Sequence, residues 1–138
     1  MKMGIIPEIR GSELSEAELR DIWNEVFLIP RENAESMQMG VVRMKPGGAT
    51  KMHQHGGGFD TRVDPPRKLE SDLDDEGEEA FVGLKGTGTI TVQDQEYRME
   101  PGDVFYVPRH TPHEIRCDDP NGLTYLFYSS IGPEKPSR

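Results

Sequence analysis

The sequence predicts an all-β domain, on three observations. From Ser36 onward the chain runs in short apolar stretches broken by Pro-Gly, Gly-Gly and Gly-Asp turns, the signature of many consecutive strands. At 138 residues it is long enough for one hydrophobic core and short for two. An apolar fraction of 33%, supplemented by 15 glycines, comes close to the globular range and suffices to close that core. Together these point to a β-sandwich or barrel.

Ahead of the strands, residues 1–35 are expected to form an N-terminal extension carrying one helix. Ser15-Glu16-Ala17-Glu18 reads as a capping box, and Leu19, Ile22, Trp23, Val26 and Phe27 recur at helical spacing up to Pro30. Trp23 and Phe27 on that stripe are expected to pack against the outside of the barrel. Strands are expected near residues 37–45, 50–55, 79–85, 88–93, 96–99, 103–107, 113–117 and 123–130. The barrel then occupies residues 36–130, and residues 131–138 form a C-terminal tail.

Residues 56–77 break this pattern. Gly56-Gly57-Gly58 is followed by Asp60, Arg62, Asp64, Pro65 and Pro66, and seven of the ten residues 70–79 are acidic. With neither strand nor helix period, the segment reads as an acidic insertion loop, either a lid over a site or a plain surface insertion. In a lid, Arg62 would cover an anionic substrate.

Charge and cysteine usage narrow the functional classes. Twenty-five acidic against 16 basic residues give a net charge of -9, which repels phosphate backbones and anionic membranes, so neither nucleic acid nor membrane is an expected partner. No apolar stretch approaches the roughly 20 residues of a membrane span, and residues 1–10 lack the apolar segment of a signal peptide. Cys117 is the only cysteine, which rules out an intramolecular disulfide and Cys-rich zinc modules. A cytoplasmic location is expected.

All four histidines fall in two clusters, His53-x-His55 and His110-x-x-His113, with Glu79 between them. Residues two apart on a strand point to the same face, so both imidazoles of the first pair can reach one ion. Three imidazoles and one carboxylate with room for water suit five- or six-coordinate divalent metals better than a closed zinc site.

These residues give the chain a resemblance to single-domain cupins. The first cupin motif is matched by Gly47, His53, His55, Glu79 and Gly86, and the second by Gly102, Pro108 and His113. The resemblance implies a cupin-type double-stranded β-helix, or jelly-roll barrel, with His53, His55, Glu79 and His113 as ligands of one divalent ion. Iron or manganese is favoured for that ion, with nickel, zinc or cobalt as alternatives. Three departures stand out. The 23 residues between His55 and Glu79 replace the family's three or four, His110 occupies a motif glycine, and Cys117 the motif asparagine. Glu76, Glu78 and Asp60 are alternative carboxylate ligands, although only Glu79 lies at the motif distance from Gly86 and opens the apolar run Ala80-Phe81-Val82.

What the resemblance implies about activity is broad. A metalloenzyme acting on a small oxygen-rich or carboxylate metabolite is expected, with oxygen-dependent cleavage ahead of an isomerase, lyase or decarboxylase of sugar acids, or a non-catalytic binding cupin. Catalytic candidates are His110, Lys51 and Tyr106, with Gln38, Arg43 and Tyr128 as further candidates whose facing depends on register. Phe81 shares strand parity with Glu79 and is expected to form an apolar wall. Cys117 is expected to be a buried inert thiol. A small-molecule ligand and a homodimer are the expected partners.

Overall fold

The computed structural model describes residues 23–29, 34–71 and 75–132, the first of these segments by its backbone alone. Among these residues ten strands follow one another: β1 (Trp23–Ile29), β2 (Met37–Met44), β3 (Phe59–Asp60), β4 (Arg67–Lys68), β5 (Glu76–Lys85), β6 (Gly88–Val92), β7 (Gln95–Met99), β8 (Val104–Val107), β9 (His113–Cys117) and β10 (Leu123–Ile131). They form a five-stranded sheet in the order β1-β2-β10-β5-β8, a three-stranded sheet β7-β6-β9, and a two-stranded ribbon β3-β4 within the insertion. Every strand pair is antiparallel. No helix among the described residues is long and apolar enough to cross a membrane.

Alternation along the strands decides which side chains meet. On β10, Leu123, Tyr125, Phe127 and Ser129 are buried and their neighbours are not. The same period buries Val42 and Met44 on β2, Phe81 on β5, and Ile115 and Cys117 on β9. Residues of both larger sheets enter one apolar cluster, with Ile90 and Met99 of the three-stranded sheet fully enclosed. That is sheet-on-sheet packing of a β-sandwich.

Toward one end of the sandwich the inward rows turn from apolar to polar. Phe127 gives way to Ser129, Phe81 to Glu79, Val42 to Gln38 and Ile115 to His113, all buried. Register places Gln38, Ser129 and Glu79 side by side across three strands. Buried polar groups gathered at one end of a core call for partners, and a site is the usual reason. At the opposite end, the β5–β6 turn depends on Gly86, whose φ of 80° favours glycine and whose Cα lies against the carbonyl of Gly122.

Two expectations are corrected. Residues Trp23–Ile29 form a strand that pairs with β2, with a bulge between Phe27 and Ile29, where helical spacing had suggested a helix. The run WNEVFLI is rich in aromatic and β-branched residues, which suit a pleated surface, and pairing supplies the open edge of β2 with hydrogen bonds. The Ser15-to-Ile22 part of the expected helix lies outside the described residues. Residues 50–55 make one isolated bridge, His53 to His113, preceded by another at Ala49 to Arg116. Four steps on this segment oppose three on β9, so the register slips by one and no continuous strand forms. Thr50 fills the slip, donating its N–H to the Ile115 carbonyl and accepting the Ile115 N–H on its hydroxyl, both at 2.9 Å. The remaining expected strands are present, with β5 beginning three residues earlier and β10 ending one later than anticipated.

Candidate metal centre

The polar end of the sandwich opens into a cavity of about 480 Å³. Its floor is apolar, from Val42, Phe81, Ile115, Tyr125 and Phe127, and its wall carries His53, His55, Glu79 and His113. Phe81 is the apolar wall that strand parity implied, its ring 5.9 Å from that of His113.

His113 is held by β9, whose alternation buries it to 1% exposure. His53 is held opposite by reciprocal backbone bonds with His113, 3.0 and 2.8 Å long. His55 follows two residues later, its carbonyl accepting the amide of His110 at 2.7 Å. The three rings converge, with centroids 4.4 to 5.2 Å apart. One nitrogen from each lies within 4.8 Å of the others. That limit lies somewhat above the ~4.2 Å separating opposite ligands of an ion with bonds of about 2.1 Å, so the rings would draw together around one.

Each ring is oriented through its other nitrogen. His113 Nδ1 lies 2.8 Å from the Thr111 carbonyl and His53 Nδ1 lies 2.5 Å from the Lys51 carbonyl. A carbonyl only accepts, so both Nδ1 atoms carry the proton and leave Nε2 with a bare lone pair. His55 Nδ1 is paired with Glu76 Oε2 at 2.8 Å. Histidines anchored at Nδ1 by an oxygen, with their rings converging, are arranged as metal ligands are.

Glu79 completes the group from β5. One of its oxygens touches His55 Nε2 and the other is 3.9 Å from His113 Nε2. Among the described residues neither nitrogen has a partner in hydrogen-bond alignment, although both are buried. Carboxylate oxygens beside converging imidazole nitrogens can share a cation, and this donor set fits a divalent ion. Glu79 and Glu76 form a second donor group around His55, so the candidate donors make two overlapping sets that share that ring.

Electrostatics divide the histidines. Burial lowers His53 to about 4, with His55 adding repulsion. Burial also lowers His113 to about 4, against the pull of Glu79. Burial opposes the charge on His55 too, but Glu79 and Glu76 outweigh it and raise the ring to about 10. Burial would raise Glu76, yet the hydrogen bond and charge of His55 hold it well below the usual carboxylate range. The ion-free centre thus holds two neutral imidazoles and one imidazolium clamped between two carboxylates.

Residues 59–128, about half the chain, match the sequence pattern of the Cupin domain. The chain belongs to the cupin family. The matched stretch contains Glu79 and His113 and begins after the His53-x-His55 pair. No curated protein matches the sequence. Solved structures share the cupin fold at low identity. The Schizosaccharomyces pombe Cnp3 cupin domain is 19% identical with a TM-score of 0.59, covering 79% of this chain and 64% of that one. The TT1209 protein from Thermus thermophilus is 18% identical with a TM-score of 0.63, covering 84% and 90%. A candidate sugar phosphate isomerase from Acidithiobacillus ferrooxidans is 22% identical with a TM-score of 0.56, covering 78% and 58%.

In this cupin the other expected site residues separate. Lys51 is exposed and lines the cavity mouth. His110 adopts a φ of 64° in place of the motif glycine, is exposed, and sets its ring against Gly56. It does not line the cavity. Tyr106 requires correction as a catalytic candidate: it is 61% exposed on the outer face of β8 and donates its hydroxyl proton to Glu78 at 2.7 Å. Of the register-dependent candidates, Arg43 is exposed and Tyr128 half-buried, while Gln38 is buried and donates to Glu76 Oε1 at 2.7 Å. Cys117 is a buried core thiol, as expected.

Some lining residues escaped sequence reasoning. Ser129 was legible in principle, because it continues the inward row Leu123, Tyr125, Phe127. Arg67, opposite Asp60 across the short β3-β4 ribbon, was not. Asp60, Arg62, Val63 and Arg67 all line the cavity, so the insertion folds over the mouth.

Proposed function

We propose that this cupin is a mononuclear metal-dependent enzyme acting on a small, oxygen-rich, carboxylate-bearing metabolite, with oxygen-dependent cleavage as its reaction. The observation that carries the reading is the convergence of three Nδ1-anchored histidines and Glu79 in one cavity large enough for a metabolite. His53, His55, His113 and Glu79 would hold the ion, and iron(II) or manganese(II) suits a mixed nitrogen and oxygen set with positions left for substrate. When bound, such an ion supplies Lewis acidity to neighbouring substrate oxygens and, as iron, electrons for oxygen chemistry.

The chain's own residues contribute the rest. Thr111 and Lys51 carbonyls and Glu76 fix the three rings, so little is reorganised when the centre fills. Phe81, Tyr125 and Phe127 give the substrate an apolar floor and keep bulk water off its reacting end. Lys51 and Arg62 place positive charge at the mouth.

The test is turnover. Protein reconstituted anaerobically with iron(II), then given oxygen and a panel of catechols, diketones and sugar acids, should consume oxygen with at least one of them. Conversion of a sugar acid without oxygen uptake would move the assignment to isomerisation or elimination. Failure of every compound to react in a metal-dependent way would overturn the enzymatic reading.

A further inference from the structure

We propose that Arg62, carried by the insertion, selects the substrate by a carboxylate group, so that the cavity takes anionic rather than neutral oxygen-rich ligands. This rests on the metal-centre reading above and adds the residue that enforces the substrate class.

The insertion is tied down where Arg62 emerges. The amides of Gly56 and Gly58 donate to the Asp75 carboxylate at 3.1 and 3.2 Å. Thr61 exchanges two hydrogen bonds with the Gln54 backbone, 3.0 and 2.9 Å long. Next to it, Asp60 is buried to 8% exposure and grips Arg62 twice on one oxygen, through the backbone N–H at 3.1 Å and Nε at 2.9 Å. The guanidinium is therefore aimed before any ligand arrives, and preorganisation of this kind lowers the cost of binding.

On the side facing the histidines, Arg62 Nη1 lies 3.5 Å from Glu76 Oε1, at the outer limit of hydrogen bonding. Glu76 keeps two shorter contacts besides that one, because Gln38 donates to the same oxygen at 2.7 Å and His55 occupies the other at 2.8 Å. An incoming carboxylate can offer Arg62 two oxygens at short range in the planar geometry that guanidinium groups favour.

Charge balance points the same way. Among the described residues, the charged lining is Lys51, Arg62 and Arg67 against Asp60, Glu76 and Glu79, which cancel when the imidazoles are neutral. A divalent ion would add two positive charges to that described lining, and an anionic ligand offsets them where a neutral one cannot.

The experiment is a calorimetric titration of the metal-loaded full chain with malonate and with its neutral analogue malonamide, metal content being measured on the same samples. Malonate is expected to bind and malonamide not to compete. Arg62→Gln should weaken malonate by about 10- to 100-fold, the factor of a charge-assisted hydrogen bond, without loss of metal, and Arg62→Lys should recover part of it. Equal malonate affinity in wild type and Arg62→Gln, or malonamide binding as tightly as malonate, overturns the proposal alone. Loss of metal from the wild-type samples overturns the metal-centre reading and this proposal with it.

Discussion

At the residue scale, the histidines matter less as isolated side chains than as rings fixed from behind. Glu76 fixes His55, and it also accepts from Gln38 and faces Arg62. Removing its charge should leave the fold intact, because the apolar cluster does not include it. Glu76→Gln is expected to weaken divalent-metal affinity by about 10- to 100-fold in a competition assay with a chelating dye, the usual effect of losing an outer ligand contact. An unchanged affinity would mean that His55 needs no such support. Glu79 should behave differently, since it touches His55 directly and faces His113. Glu79→Gln should lower affinity further than Glu76→Gln in the same assay, and the reverse ranking would make Glu76 the ligand.

At the element scale, the β5–β6 turn ties the two sheets together through Gly86. A methyl group there would meet the Gly122 carbonyl in a backbone conformation that disfavours any side chain. Gly86→Ala should cost more than about 2 kcal/mol in urea unfolding. A loss below about 0.5 kcal/mol would show that the turn relaxes freely. The strands flanking such turns were legible in the sequence, because Gly and Pro punctuate them and alternation marks their faces. β1 was not, since Trp23 and Phe27, four apart, share a face in a helix and in a strand alike, Val26 joins them only at helical spacing, and pairing with the edge of β2 decides for the strand. The break at residues 50–55 was hidden too, because it arises from a register slip against β9. Of the site, the His53-x-His55 pair, His113 and Glu79 could be read from spacing. Arg62 and Asp60 could only be placed at the cavity once the path of the insertion, with its two-residue strands, was known.

At the scale of the whole molecule, the buried histidines give the ion-free chain a defined pH response. His53 and His113 fall from 6.5 to about 4 on folding, so the unfolded chain binds more protons between those values and stability is lost as pH falls through that window. His55 rises from 6.5 to about 10, so its contribution is complete below 6.5 and is lost as pH rises toward 10. Glu76, held below its ordinary 4.5, adds to the loss at the acid end. Urea unfolding in the presence of a chelator should therefore show greatest stability near pH 6.5. The double variant His53→Gln, His113→Gln should flatten the acid limb, and a wild-type curve still rising from about pH 6.5 to about 9 would contradict the placement of His55 between two carboxylates.

One cation shared by side chains from three separate segments would define the centre, and its stoichiometry is the direct measure. Elemental analysis of anaerobically reconstituted, desalted protein should give one iron or manganese per chain, falling to background in His113→Ala while the far-ultraviolet dichroism of the β-sheets is unchanged. Metal absent from the folded wild type, or retained in full by folded His113→Ala, would contradict it.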